Sequence, residues 1–254
     1  MNDAAPSPLA YRWRHSTLAA IAHVQAVALD DLIGIERQKA ALVQNVQQFV
    51  AGKPANHVLL TGSRGTGKSS LVKALLTRFA PEGLRVVEVH PHDLIDLPDV
   101  VAPLRERDER FLLYVDDFSV ANNDRALTAL KTALDGGIEE PAENVLIVAT
   151  SNRRYLMPTM KADNNEFHWE DGELQAGEST EEKVSLSERF GLWLSFPPFS
   201  QDQYLDAVRL HLKALNGPAW SPELQVLALR WALNRASRSA RVARQFAQDA
   251  AGRC

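Results

Sequence analysis

His57-Val58-Leu59-Leu60-Thr61-Gly62-Ser63-Arg64-Gly65-Thr66-Gly67-Lys68-Ser69 is the stretch that decides the architecture. An apolar run predicts a strand, a glycine-rich segment matches G-x-x-x-x-G-K-[ST] at every fixed position, and Ser69 to Phe79 carries helical spacing. Gly62 and Gly67 allow the backbone to turn around a phosphate so that successive N–H groups point inward, and the helix that follows presents its positive end to the same anion. Lys68 supplies a flexible point charge for the β and γ phosphates, and the Ser69 hydroxyl is a ligand type suited to Mg²⁺. Residues Gly62, Ser63, Arg64, Gly65, Thr66, Gly67, Lys68, Ser69 and Ser70 are therefore the predicted cradle for a nucleoside triphosphate. At an average glycine usage of ~7%, the fixed positions alone arise by chance in roughly one chain per hundred of this length. The strand before and the helix after make a chance match several-fold rarer.

Working outward, further short apolar runs occur at Arg85 to Val89, Phe111 to Val115, Val145 to Thr150 and Leu192 to Phe196. Most are unbroken rather than alternating, as expected of strands covered on both faces. Helical spacing recurs at Gln38 to Val50 and Asp124 to Leu134. The pattern predicts an α/β core with a five-stranded parallel sheet flanked by helices. Pro197-Pro198 stops the last strand, and the remainder reads as helices only. The expected division is an N-terminal extension and helix over 1–29, a core over 30–198 and a small all-helical domain over 199–254. Pro6 and Pro8 suggest that residues 1 to 16 lie loosely on the surface, and Leu18, Ile21, Val24 and Leu29 recur near helical spacing, which predicts a packed amphipathic helix. Between Lys161 and Lys183 a segment with eight acidic residues and two lysines, poor in large apolar residues, predicts a solvated insertion or a partner-binding loop.

The chain has 254 residues, 45% of them hydrophobic, enough for one large domain and a satellite. Its formal net charge of −4 removes the global positive field of a non-specific nucleic-acid binder. Its one cysteine, Cys254, leaves no internal disulfide or cysteine-based metal site and suits a reducing compartment. The apolar stretch from Leu18 to Leu29 follows basic residues as a signal peptide would, but His23 and Gln25 interrupt it, and no segment has the uninterrupted apolar length of a membrane helix. The expectation is a cytoplasmic protein with no membrane role.

A phosphate loop needs a carboxylate at the end of a neighbouring strand. Phe111-Leu112-Leu113-Tyr114-Val115-Asp116-Asp117 offers two: Asp116 as metal partner, and Asp117 to orient or deprotonate an attacking water. Asn152, just after the Val145 to Thr150 run, has the donor and acceptor groups to hold that water or the γ phosphate. Each also has a plainer reading, a polar turn after a strand, which the phosphate loop upstream makes the weaker one.

These three elements resemble the Walker A, Walker B and sensor 1 segments of AAA+ ATPases. Longer strings, including Asp31-Leu32-Ile33-Gly34-Ile35-Glu36-Arg37-Gln38, Ala149-Thr150-Ser151-Asn152-Arg153-Arg154, Leu186-Ser187-Glu188-Arg189-Phe190-Gly191-Leu192 and Ser239-Ala240-Arg241-Val242-Ala243-Arg244, resemble the domain of unknown function 815 family, a bacterial AAA+ group, over roughly residues 18 to 250. The resemblance implies an AAA+ fold with a helical lid, ATP or ADP with Mg²⁺ as ligands, and assembly into a ring or open spiral. It implies that Ile33 and Ile35 border the adenine, that Arg189 is an arginine finger reaching a neighbouring subunit's γ phosphate, with Arg153 and Arg154 as alternatives, and that Arg241 is the sensor 2 arginine. Ala240 and Tyr155 depart from the family pattern, which has Gly and His there.

Four function classes share the loop. An ATPase that drives conformational change in a homo-oligomer uses Lys68, Ser69, Asp116, Asp117, Asn152 and an arginine finger together. A nucleotide-dependent binding module with little hydrolysis would tolerate losses among them. A small-molecule kinase would carry a lid inserted in the core rather than after it, and a GTPase would carry an N-K-x-D string, which is absent. The client of an ATPase, protein in preference to nucleic acid given the net charge, is not readable from these residues.

Overall fold

The computed structural model describes residues 7–118, 124–135, 140–152, 167–170, 173–176, 186 and 188–253. The strands read from unbroken apolar runs form where expected: β3 at Val58–Gly62, β4 at Leu84–Glu88, β5 at Arg110–Val115, β6 at Val145–Ser151 and β9 at Leu192–Phe196. They are parallel, in the order β4-β5-β6-β3-β9. Every residue of β3 and β6 is buried, whereas β9 lies at the edge and exposes Trp193 and Ser195. This is the physical reason that β3 and β6 open on unbroken apolar runs, their polar residues coming only at the C-terminal ends, while the edge strand can expose side chains.

Among the described residues the sheet has seven strands, not five. Residues 1 to 16 read as a loose segment, but Ala10–Arg14 is a strand, β1, running parallel to β4, with Ala10, Tyr11 and Trp13 buried. Thr17–Ala20 forms β2, antiparallel to β1, where the apolar spacing predicts an amphipathic helix. The two are joined by His15 and Ser16, with φ of 48° and 55°, the pair of left-handed residues that a tight hairpin needs. Ile21, Val24 and Leu29 do pack on the core, from an extended segment and a short 3₁₀ turn at Leu29–Asp31. Their helical spacing reflects separate contacts rather than a helix.

On one face of the sheet lie α1 (Glu36–Val50) and α2 (Lys68–Phe79), and on the other α3 (Leu97–Arg105) and α4 (Asp124–Asp135), each face with its own apolar cluster. After β9 come α5 (Gln201–Ala214), α6 (Pro222–Asn234) and α7 (Ala240–Ala251). Ser200, Ser221 and Ser239 cap them, each accepting the backbone N–H three residues on, and Ser200 completes a capping box with Gln203. Within the acidic segment, β7 (Phe167–Glu170) and β8 (Glu173–Ala176) form an antiparallel pair. The composition there predicts no regular structure; the remainder of that segment lies outside the described residues.

Candidate functional site

The C-terminal ends of β3, β5 and β6 and the first turn of α2 meet at one cleft of about 790 Å³, within the usual range for small-molecule sites. Two glycines, Gly62 and Gly65, make the path of the phosphate loop possible. Gly62 has φ of 127°, and a Cβ there would lie 2.1 Å from the Phe196 carbonyl oxygen. That same carbonyl accepts the Ser63 N–H at 3.0 Å, so β9 presses directly on the start of the loop. At the apex, a Cβ on Gly65 would meet the Ser239 hydroxyl at 2.9 Å and Arg241 Cβ at 3.0 Å, and the Gly65 carbonyl accepts the Arg241 N–H at 3.3 Å.

Lys68, the first residue of α2, is 6% exposed. Its Nζ donates to the carbonyls of Gly62 at 2.8 Å and Ser63 at 2.9 Å and to Asn152 Oδ1 at 3.2 Å. Burial pulls its pKa below the usual lysine value, the Asp116 and Asp117 charges oppose that, and Arg241 and Arg64 add to it. Asn152 turns its other end outward: its Nδ2 donates to Asp117 Oδ1. One amide thus links the loop lysine to the carboxylate expected to handle water, and this network fixes which end of the amide is oxygen.

On the metal side, Asp116 Oδ1 accepts from the hydroxyls of Thr150 at 2.7 Å and Ser69 at 3.0 Å. Burial works to raise the Asp116 pKa, but the hydrogen bonds around it prevail and hold it below the usual carboxylate value. Thr150 Oγ1 also accepts the Asp117 N–H at 2.9 Å, and Asp117 has φ of 54°, a left-handed conformation that aspartate tolerates better than most residues. Hard oxygen donors, one carboxylate and one hydroxyl, suit Mg²⁺, which is held by few protein groups and completes its shell with phosphate and water. Among the described residues there is no cluster of three or more His, Cys, Asp or Glu that would suit a metal held by protein alone. Beside this pair, the buried Tyr114 hydroxyl has no hydrogen-bond partner among the described residues, as expected if a further polar group belongs there.

The other end of the cleft is lined by Ile33 and Ile35, with Gln25, Ala26, Val27, His211 and Arg244. Burial holds the His211 pKa below its ordinary value, Arg244 lowers it further and Asp31 opposes them. Arg241 lines the cleft beside the loop. Arg235, Arg238, Arg241 and Arg244 recur every three residues, and they divide: Arg241 and Arg244 face the cleft, Arg238 lines a separate groove beside α6, and Arg235 stacks on Trp231. Arg189 is not at the cleft. Its Nε donates to Asp135 Oδ2 at 2.6 Å. Arg153 and Arg154 lie outside the described residues. Sequence reasoning gives no role to Thr150, which reads as the last residue of a buried strand, nor to His211 and Gln25 to Val27, which reach the cleft only through the tertiary fold.

The profile of a family described as "Protein of unknown function (DUF815)" matches residues 7–254. No curated protein matches the chain. Among solved structures, a RuvB variant from Thermotoga maritima is similar with 15% identity and a TM-score of 0.52, over 87% of this chain and 71% of that one. The Orc1 protein of Aeropyrum pernix, solved in complex with DNA, is similar with 17% identity and a TM-score of 0.56, over 85% of this chain and 61% of that one. With identities this low, the likeness concerns the fold. The chain belongs to the DUF815 family, and it shares its fold with these RuvB and Orc1 structures.

Proposed function

We propose that the chain binds ATP with Mg²⁺ in this cleft and hydrolyses it to ADP and phosphate, driving conformational change in a homo-oligomer. The observation that carries the reading is the continuous link from Lys68 through Asn152 to Asp117, beside the Ser69 and Asp116 pair. The first-turn N–H groups of α2 and the loop amides would bind the phosphates, and Lys68 would exchange its carbonyl contacts for phosphate oxygens. Ser69 and Asp116 would hold the metal, which when bound neutralises charge on the phosphates. Asp117 would accept a proton from the attacking water, and Asn152 would keep that carboxylate and the water in line. Ile33, Ile35 and the residues around His211 would enclose the base. Arg241 would meet the γ phosphate from α7.

We infer a core over 30–198, whose sheet the 1–29 segment extends through β1 and β2, a helical unit over 199–254 acting as the lid, and an active unit in which Arg189 of one copy completes the site of the next. A protein client fits the net charge of −4 better than nucleic acid does. A nucleotide switch with little hydrolysis is the second reading, favoured by the ion pair that already engages Arg189 within the chain. The test compares Lys68→Ala and Asp117→Asn by calorimetry and phosphate release. Lys68→Ala is expected to lose ATP affinity, whereas Asp117→Asn keeps it and loses about 10²- to 10⁴-fold in turnover. Unchanged affinity and turnover in Lys68→Ala would overturn the site, and slow turnover by the wild type at every concentration would favour the switch.

A further inference from the structure

Tyr114 sits on β5 two residues before Asp116, so the two side chains leave the same face of the strand. It is 6% exposed, in the apolar cluster beneath α2. Its hydroxyl lies close enough to Asp116, Ser69 and Thr150 to interact with each, yet it is not placed and aligned for a full hydrogen bond with any described residue. The neighbouring hydroxyls both donate to Asp116 Oδ1, so neither has a proton left for the tyrosine oxygen. A buried hydroxyl without a partner costs about 1–3 kcal/mol, so a tyrosine here is a liability that a phenylalanine of the same shape would avoid. The oxygen therefore needs a reason, and the group it adjoins is the one suited to Mg²⁺.

We propose that the Tyr114 hydroxyl is a positioning group for the metal's outer shell, donating to a metal-bound water or to the Asp116 carboxylate once the cation is in place. The inference rests on the nucleotide reading above. A phenol has a proton to donate, and the groups it adjoins are rich in acceptor oxygens. Outer-shell partners orient the direct ligands, and their loss commonly weakens metal binding by 10- to 100-fold. Tyr114 touches neither the phosphates nor the attacking water in this arrangement, so its effect should appear in metal affinity and not in nucleotide binding without metal.

Tyr114→Phe separates the possibilities, because it removes only an oxygen that the metal-free protein leaves unpaired. Melting temperature, affinity for a fluorescent ATP analogue in EDTA, and the Mg²⁺ concentration giving half-maximal tightening of that analogue are measured on both proteins. The expected result is an unchanged or slightly higher melting temperature, unchanged affinity in EDTA, and an Mg²⁺ requirement raised about tenfold. An equal Mg²⁺ requirement in the two proteins would overturn the role of Tyr114 while leaving the nucleotide site standing. Equal losses with and without Mg²⁺ would mark a structural role and also overturn it. Failure of the wild type to bind the analogue at all would remove both this inference and the nucleotide reading.

Discussion

His57 shows how much a single side chain at the sheet can decide. It opens the strand that leads to the phosphate loop, and its Nδ1 accepts the Ile147 N–H at 3.1 Å. Burial lowers its pKa to about 4. Above pH 6.5 the ring is neutral in both folded and unfolded chains, so it adds no pH dependence. As pH falls from about 6.5 to about 4 the unfolded chain takes up a proton that the folded one refuses, and stability drops, by up to ~3 kcal/mol in all. Denaturant titrations at pH 7 and pH 4.5 should show this loss, and His57→Asn, whose side-chain oxygen can replace Nδ1 as acceptor, should lessen it. The same slope in variant and wild type would assign the acid sensitivity to other groups. At this scale the sequence is informative where a motif dictates chemistry, as at Lys68, Ser69 and Asp116. It is silent on Thr150 and Tyr114, whose hydroxyls matter only because β5 and β6 lie side by side.

Among the elements, the β1–β2 hairpin is the one the sequence conceals. Tight hairpins of this kind are usually marked by Asn-Gly or Asp-Gly, since both central residues need positive φ. Here His15 and Ser16 occupy those positions, so the signal is missing although the conformation is present. Replacing them by Asn and Gly should raise stability by about 0.5–1 kcal/mol by relieving left-handed strain, read as a higher denaturation midpoint. A lower midpoint would mean that the His15 or Ser16 side chain makes a contact worth more than that strain. Trp13, by contrast, is 4% exposed and donates its Nε1–H to Asp96 at 2.9 Å, which ties the hairpin to the 3₁₀ segment before α3. The strands inside the sheet are legible because burial on both faces demands mostly unbroken apolar residues. The hairpin is not, because its alternation is short and follows two prolines.

At the scale of the whole molecule, the proposed oligomer makes turnover a property of concentration. An arginine finger contributes roughly 10³- to 10⁵-fold in rate in P-loop enzymes, so isolated chains should be nearly inactive and turnover per chain should rise as copies meet. Arg189→Ala should abolish that rise while leaving ATP affinity in place, and mixing it with Lys68→Ala should restore part of the activity, since each lacks what the other has. Concentration-independent turnover by a protein that stays monomeric with ATP would defeat this. The phosphate loop, meanwhile, is gripped from two sides: Ser63 by Phe196 at the end of β9, and Gly65 by Arg241 at the start of α7. These two anchors bracket α5 and α6 along the chain. Under the proposed function the C-terminal helices would work as a lever on the loop: swelling or relaxation of the phosphate cradle would be transmitted as a tilt, and a force applied to the helices from outside would be felt where the phosphates would lie.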